Sequence, residues 1–75
     1  MLRFHCSFEI NGSTHRYGEV ASTPEEAAAI AVWRHDPMVT LTDRVRVVCN
    51  FQEGETLVDV EITHGPHYRG EIVEG

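Results

Sequence analysis

Five histidines and two cysteines are the residues of this 75-residue chain whose types suit metal binding or nucleophilic chemistry. His64 and His67 stand three apart around Gly65-Pro66, and His5 adjoins Cys6. Zinc takes about four ligands in a tetrahedral array, usually as close pairs on tight turns. From Leu2 to Ile10 apolar and polar residues alternate, which predicts Cys6 pointing inward and His5 outward. Those two cannot easily serve one ion. His64-Gly65-Pro66-His67 is then at best half a site, and an ordinary polar turn explains it equally well. A cysteine nucleophile needs a nearby base and an exposed, electropositive setting. Cys6 falls between Phe4 and Phe8 in the alternation, and Cys49 between Val47 and Phe51. Both are expected in the core, where a free thiol behaves as a small hydrophobe. No metal and no cofactor are expected.

Other catalytic patterns are missing. The sequence has no phosphate-binding glycine loop, dinucleotide fingerprint or nucleophile elbow. Carboxylates are plentiful, yet a domain of this size is expected to leave little volume for a pocket of about 300 Å³ or more. The expectation is a protein that is not an enzyme.

The elements that must position any site follow from periodicity. After the Leu2–Ile10 strand, Asn11-Gly12 is a strong hairpin signal, because both residues tolerate positive φ. Thr14 to Ala21 returns with weaker alternation, and Gly18 suggests a bulge. Ser22-Thr23-Pro24-Glu25-Glu26 reads as a helix start: Thr23 caps, Pro24 suits the first turn, and Glu26 can close a capping box. The helix should run to about Asp36-Pro37. Its apolar face is too broad to orient, and one of Val32 and Trp33 should be partly exposed. Residues 38–42 form a connection, extended at Val39 and Leu41. Arg44 to Phe51 and Thr56 to His64 alternate again around Gln52-Glu53-Gly54-Glu55, a second hairpin. The reading is one α+β domain over residues 1–75, β-β-α-β-β, with one helix on an antiparallel sheet of about four strands. Its parts are a hairpin over 1–21, the helix over 23–36, a hairpin over 44–64, and a tail or short edge strand over 65–75, of which a partly ordered tail is preferred.

Size and composition bound the rest. A domain this short buries only about 60% of its unfolded surface, so its stability margin is thin. Two cysteines allow one bridge at most, far from a secreted disulfide framework. The opening Met1-Leu2-Arg3-Phe4-His5-Cys6 lacks the apolar run of a signal peptide, and no stretch approaches the roughly 18 apolar residues of a membrane span. A cytoplasmic location without membrane association is expected.

The net charge is −6, from twelve acids against six arginines and no lysine. Residues 1–52 hold six acids and five arginines. Residues 53–75 hold Glu53, Glu55, Asp59, Glu61, Glu71 and Glu74 against Arg69 alone, a net of −5. Direct nucleic-acid binding needs a basic face and is not expected. An acidic face instead favours a basic protein or nucleoprotein as partner. Asp59 and Glu61, two apart on a strand, stand roughly 6.5–7 Å from each other. Phosphates along a nucleic-acid strand have a spacing of similar order, so an acidic strand can imitate that backbone. Arg44 and Arg46 lie on the facing strand, where cross-strand pairing with Asp59 or Glu61 would neutralise part of the patch. The turn and tail acids, Glu53, Glu55, Glu71 and Glu74, would then carry binding. Trp33, Tyr17, Tyr68 and Val48 are candidates for exposed anchors, and an open sheet edge would allow a homodimer.

In length, acidic balance and hairpin–helix–hairpin layout beginning Met1-Leu2-Arg3-Phe4, the whole chain resembles small acidic proteins of phages and mobile elements, including anti-CRISPR inhibitors. The resemblance implies an inhibitor that blocks a nucleic-acid-binding groove of a larger complex, and it assigns no individual residue a role.

Overall fold

The computed structural model of the protein describes residues 1–10, 12–35, 44–63 and 67–73. Five strands and one helix follow in the order β1 (Leu2–Ile10), β2 (Ser13–Ala21), α1 (Pro24–His35), β3 (Arg44–Phe51), β4 (Gly54–Thr63) and β5 (His67–Ile72). All strands belong to one antiparallel sheet, in the order β2-β1-β3-β4-β5. The α+β reading holds, with five strands in place of about four. The preferred partly ordered tail is corrected: His67–Ile72 pairs with β4 as an edge strand, from Val58↔Ile72 to Thr63↔His67. Segment 36–43, which includes the expected helix end at Asp36-Pro37 and the connection, lies outside the described residues, as do Asn11 and residues 64–66.

The hairpins form where the alternation places them, but the second turn is tighter than expected, because Gly54 and Glu55 already belong to β4 and Gln52-Glu53 alone form the loop. Ile10 pairs with Ser13 across a two-residue loop in which Gly12 takes φ 81°. Phe51 pairs with Gly54, and Gln52 accepts a φ of 56° at the first loop position. The expected bulge at Gly18 is absent, because the β1–β2 register runs unbroken from Leu2↔Ala21 to Ile10↔Ser13 with Gly18 opposite His5. A strand tolerates one residue without a side chain when its neighbours keep the ladder.

The helix start follows its sequence. The Glu26 amide donates to Thr23 Oγ1 at 3.2 Å, and the Ala27 amide to the Thr23 carbonyl at 3.1 Å. The Thr23 hydroxyl thus satisfies the Glu26 amide that the first turn would otherwise leave orphaned, and its carbonyl takes the first intrahelical bond. Ala27, Ala28, Ala31 and Val32 are fully buried against the sheet, while Trp33 is half exposed. Small alanines let the backbones approach closely. The closest approach is at β5, where a Cβ added to Gly70 would lie 2.4 Å from the Glu25 carbonyl oxygen. Phe4, Cys6, Phe8, Val45, Val47, Cys49, Val58 and Val60 complete the core from the three central strands. Each fully buried valine contributes roughly 1.5–3 kcal/mol. Among the described residues the opposite face of the sheet carries no helix.

Candidate functional site

The sheet places the predicted acids unequally. On the uncovered face Arg46 lies opposite Asp59 and Arg44 opposite Glu61. Arg46 makes a two-pronged contact with Asp59, Nε to Oδ1 at 2.8 Å and Nη2 to Oδ2 at 3.2 Å. That hydrogen-bonded pairing holds the Asp59 carboxyl below its ordinary range and raises the Arg46 guanidinium. Arg44 Nη2 reaches Glu61 Oε2 at 3.4 Å, and Arg69 Nη2 reaches Glu71 Oε1 at 3.6 Å. Three of the six singled-out acids are therefore internally paired, Glu71 among them, although the reading from sequence had it free.

Glu53 and Glu55, on the β3–β4 turn and the first residues of β4, make no ion pair among the described residues. Glu74 lies outside the described residues. Two further acids join the open set: Glu25 and Glu26 sit in the first turn of α1. That turn overlies the β3–β5 half of the sheet, since the Cys49 thiol donates to the Pro24 carbonyl at 3.6 Å and Gly70 abuts Glu25. Their positions at the positive end of the helix dipole explain their local role, and they also add negative charge to the same half as Glu53 and Glu55.

The histidines and cysteines resolve as two separate groups. Cys6 and Cys49 face each other directly across β1 and β3, with sulfurs 3.6 Å apart and both side chains buried. Because the Cys49 proton is directed at the Pro24 carbonyl, its sulfur is left to accept from Cys6. That hydrogen bond, followed by burial, pushes the Cys6 thiol above its ordinary pKa. His5 faces the opposite side, as the alternation predicts. Among the described residues no three His, Cys, Asp or Glu side chains group closely enough to hold a metal ion. His67 lies on β5, and its expected partner His64 is outside the described residues.

Sequence reasoning missed a polar corner between β2 and the helix end. Tyr17 Oη lies 2.8 Å from His35 Nδ1, and the His15 and His35 rings are 3.9 Å apart. Phe8 stacks on Tyr17 at 5.8 Å and meets His35 edge-on at 5.5 Å. Two residues further along β2, buried Glu19 accepts a hydrogen bond from Arg34 at 3.1 Å. The available signal was Arg34-His35 closing a helix whose other face is apolar, opposite a strand with His15, Tyr17 and Glu19 at every second position. Tyr17 is thereby withdrawn from the exposed anchors, while Trp33 remains one.

No helix among the described residues is long and apolar enough to cross a membrane. Comparison of the chain with family models, curated proteins and solved structures finds no match.

Proposed function

We propose that the chain is a non-enzymatic protein-binding module, of the anti-CRISPR inhibitor type, that occupies a basic nucleic-acid-binding site of a larger complex through acidic charge mimicry. The observation that supports this reading is the segregation of open carboxylates. Among the described residues five acids have no ion pair: Glu25 and Glu26 on the helix side of the β3–β5 half, Glu53 and Glu55 at its β3–β4 turn, and Glu9 alone on β1, whereas the strand acids Asp59, Glu61 and Glu71 hold arginines. Glu53 and Glu55 make first contact in this reading. The paired acids contribute second, because exposed ion pairs are worth little and can exchange partners. Association would be fast and salt-sensitive, since complementary charge chiefly raises the on-rate.

Affinity capture of the tagged protein from a bacterial lysate, at low and high salt, tests the reading. A basic nucleoprotein or nuclease subunit held at low salt and shed at high salt is the expected result. The double variant Glu53→Arg/Glu55→Arg should lose that partner while keeping its fold. Retention of the partner by this variant would end the mimicry reading.

Self-association is a second reading, favoured by β2. It is a nine-residue edge strand, with Val20 about half exposed on the uncovered face. Light scattering that gives a stable dimer, with no other protein captured, would select it.

A further inference from the structure

The uncovered face of β1 and β2 carries a depression of about 320 Å³, where the small size of the domain predicts little room for one. Its side-chain walls are His5, Ser7, Arg16 and Asn50, and Gly18 opens its floor. Cys6 and Tyr17 also line it, and their side chains belong to the opposite face, so they supply backbone. The register explains the grouping. Ser7 and Arg16 are opposite each other on one rung, and Gly18, His5 and Asn50 follow one another on a neighbouring rung. Arg3 joins from the far side: its Nη1 lies 3.6 Å from where a Cβ of residue 18 would stand.

The charges here run against those of the whole chain. Four of the six arginines, Arg34, Arg44, Arg46 and Arg69, face carboxylates. Arg3 and Arg16 have no ion pair among the described residues, yet they flank the same hollow. No carboxylate lines it among the described residues. Glu9 stands two residues beyond Ser7 on β1, and Glu55 stands opposite Asn50 on β4, outside the walls. Two guanidiniums beside an imidazole offer positive charge and hydrogen-bond donors to an anion placed between them. All four side-chain walls can donate: the guanidinium fork, the hydroxyl, the carboxamide and the imidazole. A guanidinium fork matches tetrahedral oxyanions through paired hydrogen bonds. The volume lies at the lower end of small-ligand pockets, which is larger than a bare ion requires.

We propose that the hollow between Arg3, Arg16 and Asn50 is a binding site for a small phosphate-bearing ligand. It borders the acidic surface where Glu55 stands opposite Asn50, and does not depend on that surface.

Nuclear magnetic resonance titration with inorganic phosphate and with adenosine monophosphate tests the site. Saturable shifts confined to Ser7, Arg16, Gly18 and Asn50 are expected with at least one probe. Shifts with both at equal affinity assign a phosphate-group site, and tighter binding of the nucleotide assigns the hollow to a phosphate ester. Arg16→Gln should weaken binding about tenfold or more, as loss of a charge-assisted hydrogen bond does. Gly18→Val fills the hollow at a position where a Cβ meets only ordinary contact, so it should fold and fail to bind. Arg46→Gln, away from the hollow, should bind as the parent does. Absence of shifts at these residues with both probes would overturn the proposal. So would undiminished binding by folded Arg16→Gln and Gly18→Val.

Discussion

The Glu19 carboxylate is buried beneath the end of the helix, where Oε1 accepts a hydrogen bond from Arg34 Nη1 at 3.1 Å and Oε2 meets no partner among the described residues. Glu19 is 4% exposed, whereas the Arg34 side chain is about half exposed. The two ends of the pair are therefore unequal. Removing the arginine strands a charge in the interior, and removing the carboxylate leaves a cation that water can solvate. Arg34→Ala should cost about 1–3 kcal/mol. Glu19→Met, of similar volume and without the orphaned oxygen, should cost less than that or stabilise. Urea unfolding of the two variants beside the parent checks the ordering, and an equal cost would contradict it.

Gly70 and the Glu25 carbonyl set the distance between β5 and the helix. Even a methyl group at position 70 must displace backbone, because its Cβ would fall 2.4 Å from that oxygen. Gly70→Ala should destabilise by about 1–3 kcal/mol through overpacking. Gly54→Ala meets its nearest atom at 3.4 Å and serves as the milder comparison. Thermal melts of both should separate them clearly.

Cys6 and Cys49 occupy directly opposed positions, and their sulfurs need to close from 3.6 Å to about 2.05 Å to bond. A dithiol oxidant such as diamide should take two hydrogens from the protein and link the strands. Burial makes this slow in the folded state, since the oxidant must reach a thiol that opening exposes. Intact mass under native conditions and in mild denaturant checks this: faster loss of the two hydrogens in denaturant is expected.

Asp59 gives a pH dependence of fixed sign. Its carboxyl is lowered from 3.8 by the Arg46 hydrogen bond, so the folded state holds fewer protons than the unfolded chain in that range. The stabilisation is complete above about 3.8 and is lost as pH falls through the lower folded value. Asp59→Asn should therefore be less stable than the parent near neutral pH and approach it in strong acid. Unfolding curves across that range test it, and a gap that widened in acid would reverse the assignment.

Much of this architecture was legible because local signals agreed. Leu2–Ile10 and Arg44–Phe51 alternate cleanly, Thr23 caps where a cap residue should stand, and the two hairpins form around the expected turns, the second with a loop shortened to Gln52-Glu53. That Arg44 and Arg46 face Asp59 and Glu61 was legible from strand parity, but which pairs with which needed the two-residue loop that the four-residue turn expected from sequence did not give. What stayed hidden depends on contacts distant in sequence. β2 shows poor alternation because its inner face is polar, with His15, Tyr17 and Glu19 completed by Arg34 and His35 from the helix. β5 is short and charged, and it becomes a strand through β4 and the space left by Gly70. The hollow at Gly18 arises only when β1 sits between β2 and β3, a strand order that no single segment announces.

That order also bears on how quickly the chain reaches its native state. β1–β2 and β3–β4 are hairpins that can zip locally, whereas the β1–β3 junction joins residues 43 apart, Cys6 beside Cys49. Closing so long a loop carries its entropic cost before the contacts repay it. The junction should therefore set the folding rate: truncating either cysteine should slow refolding, while loosening the outer strand β5 should mainly speed unfolding.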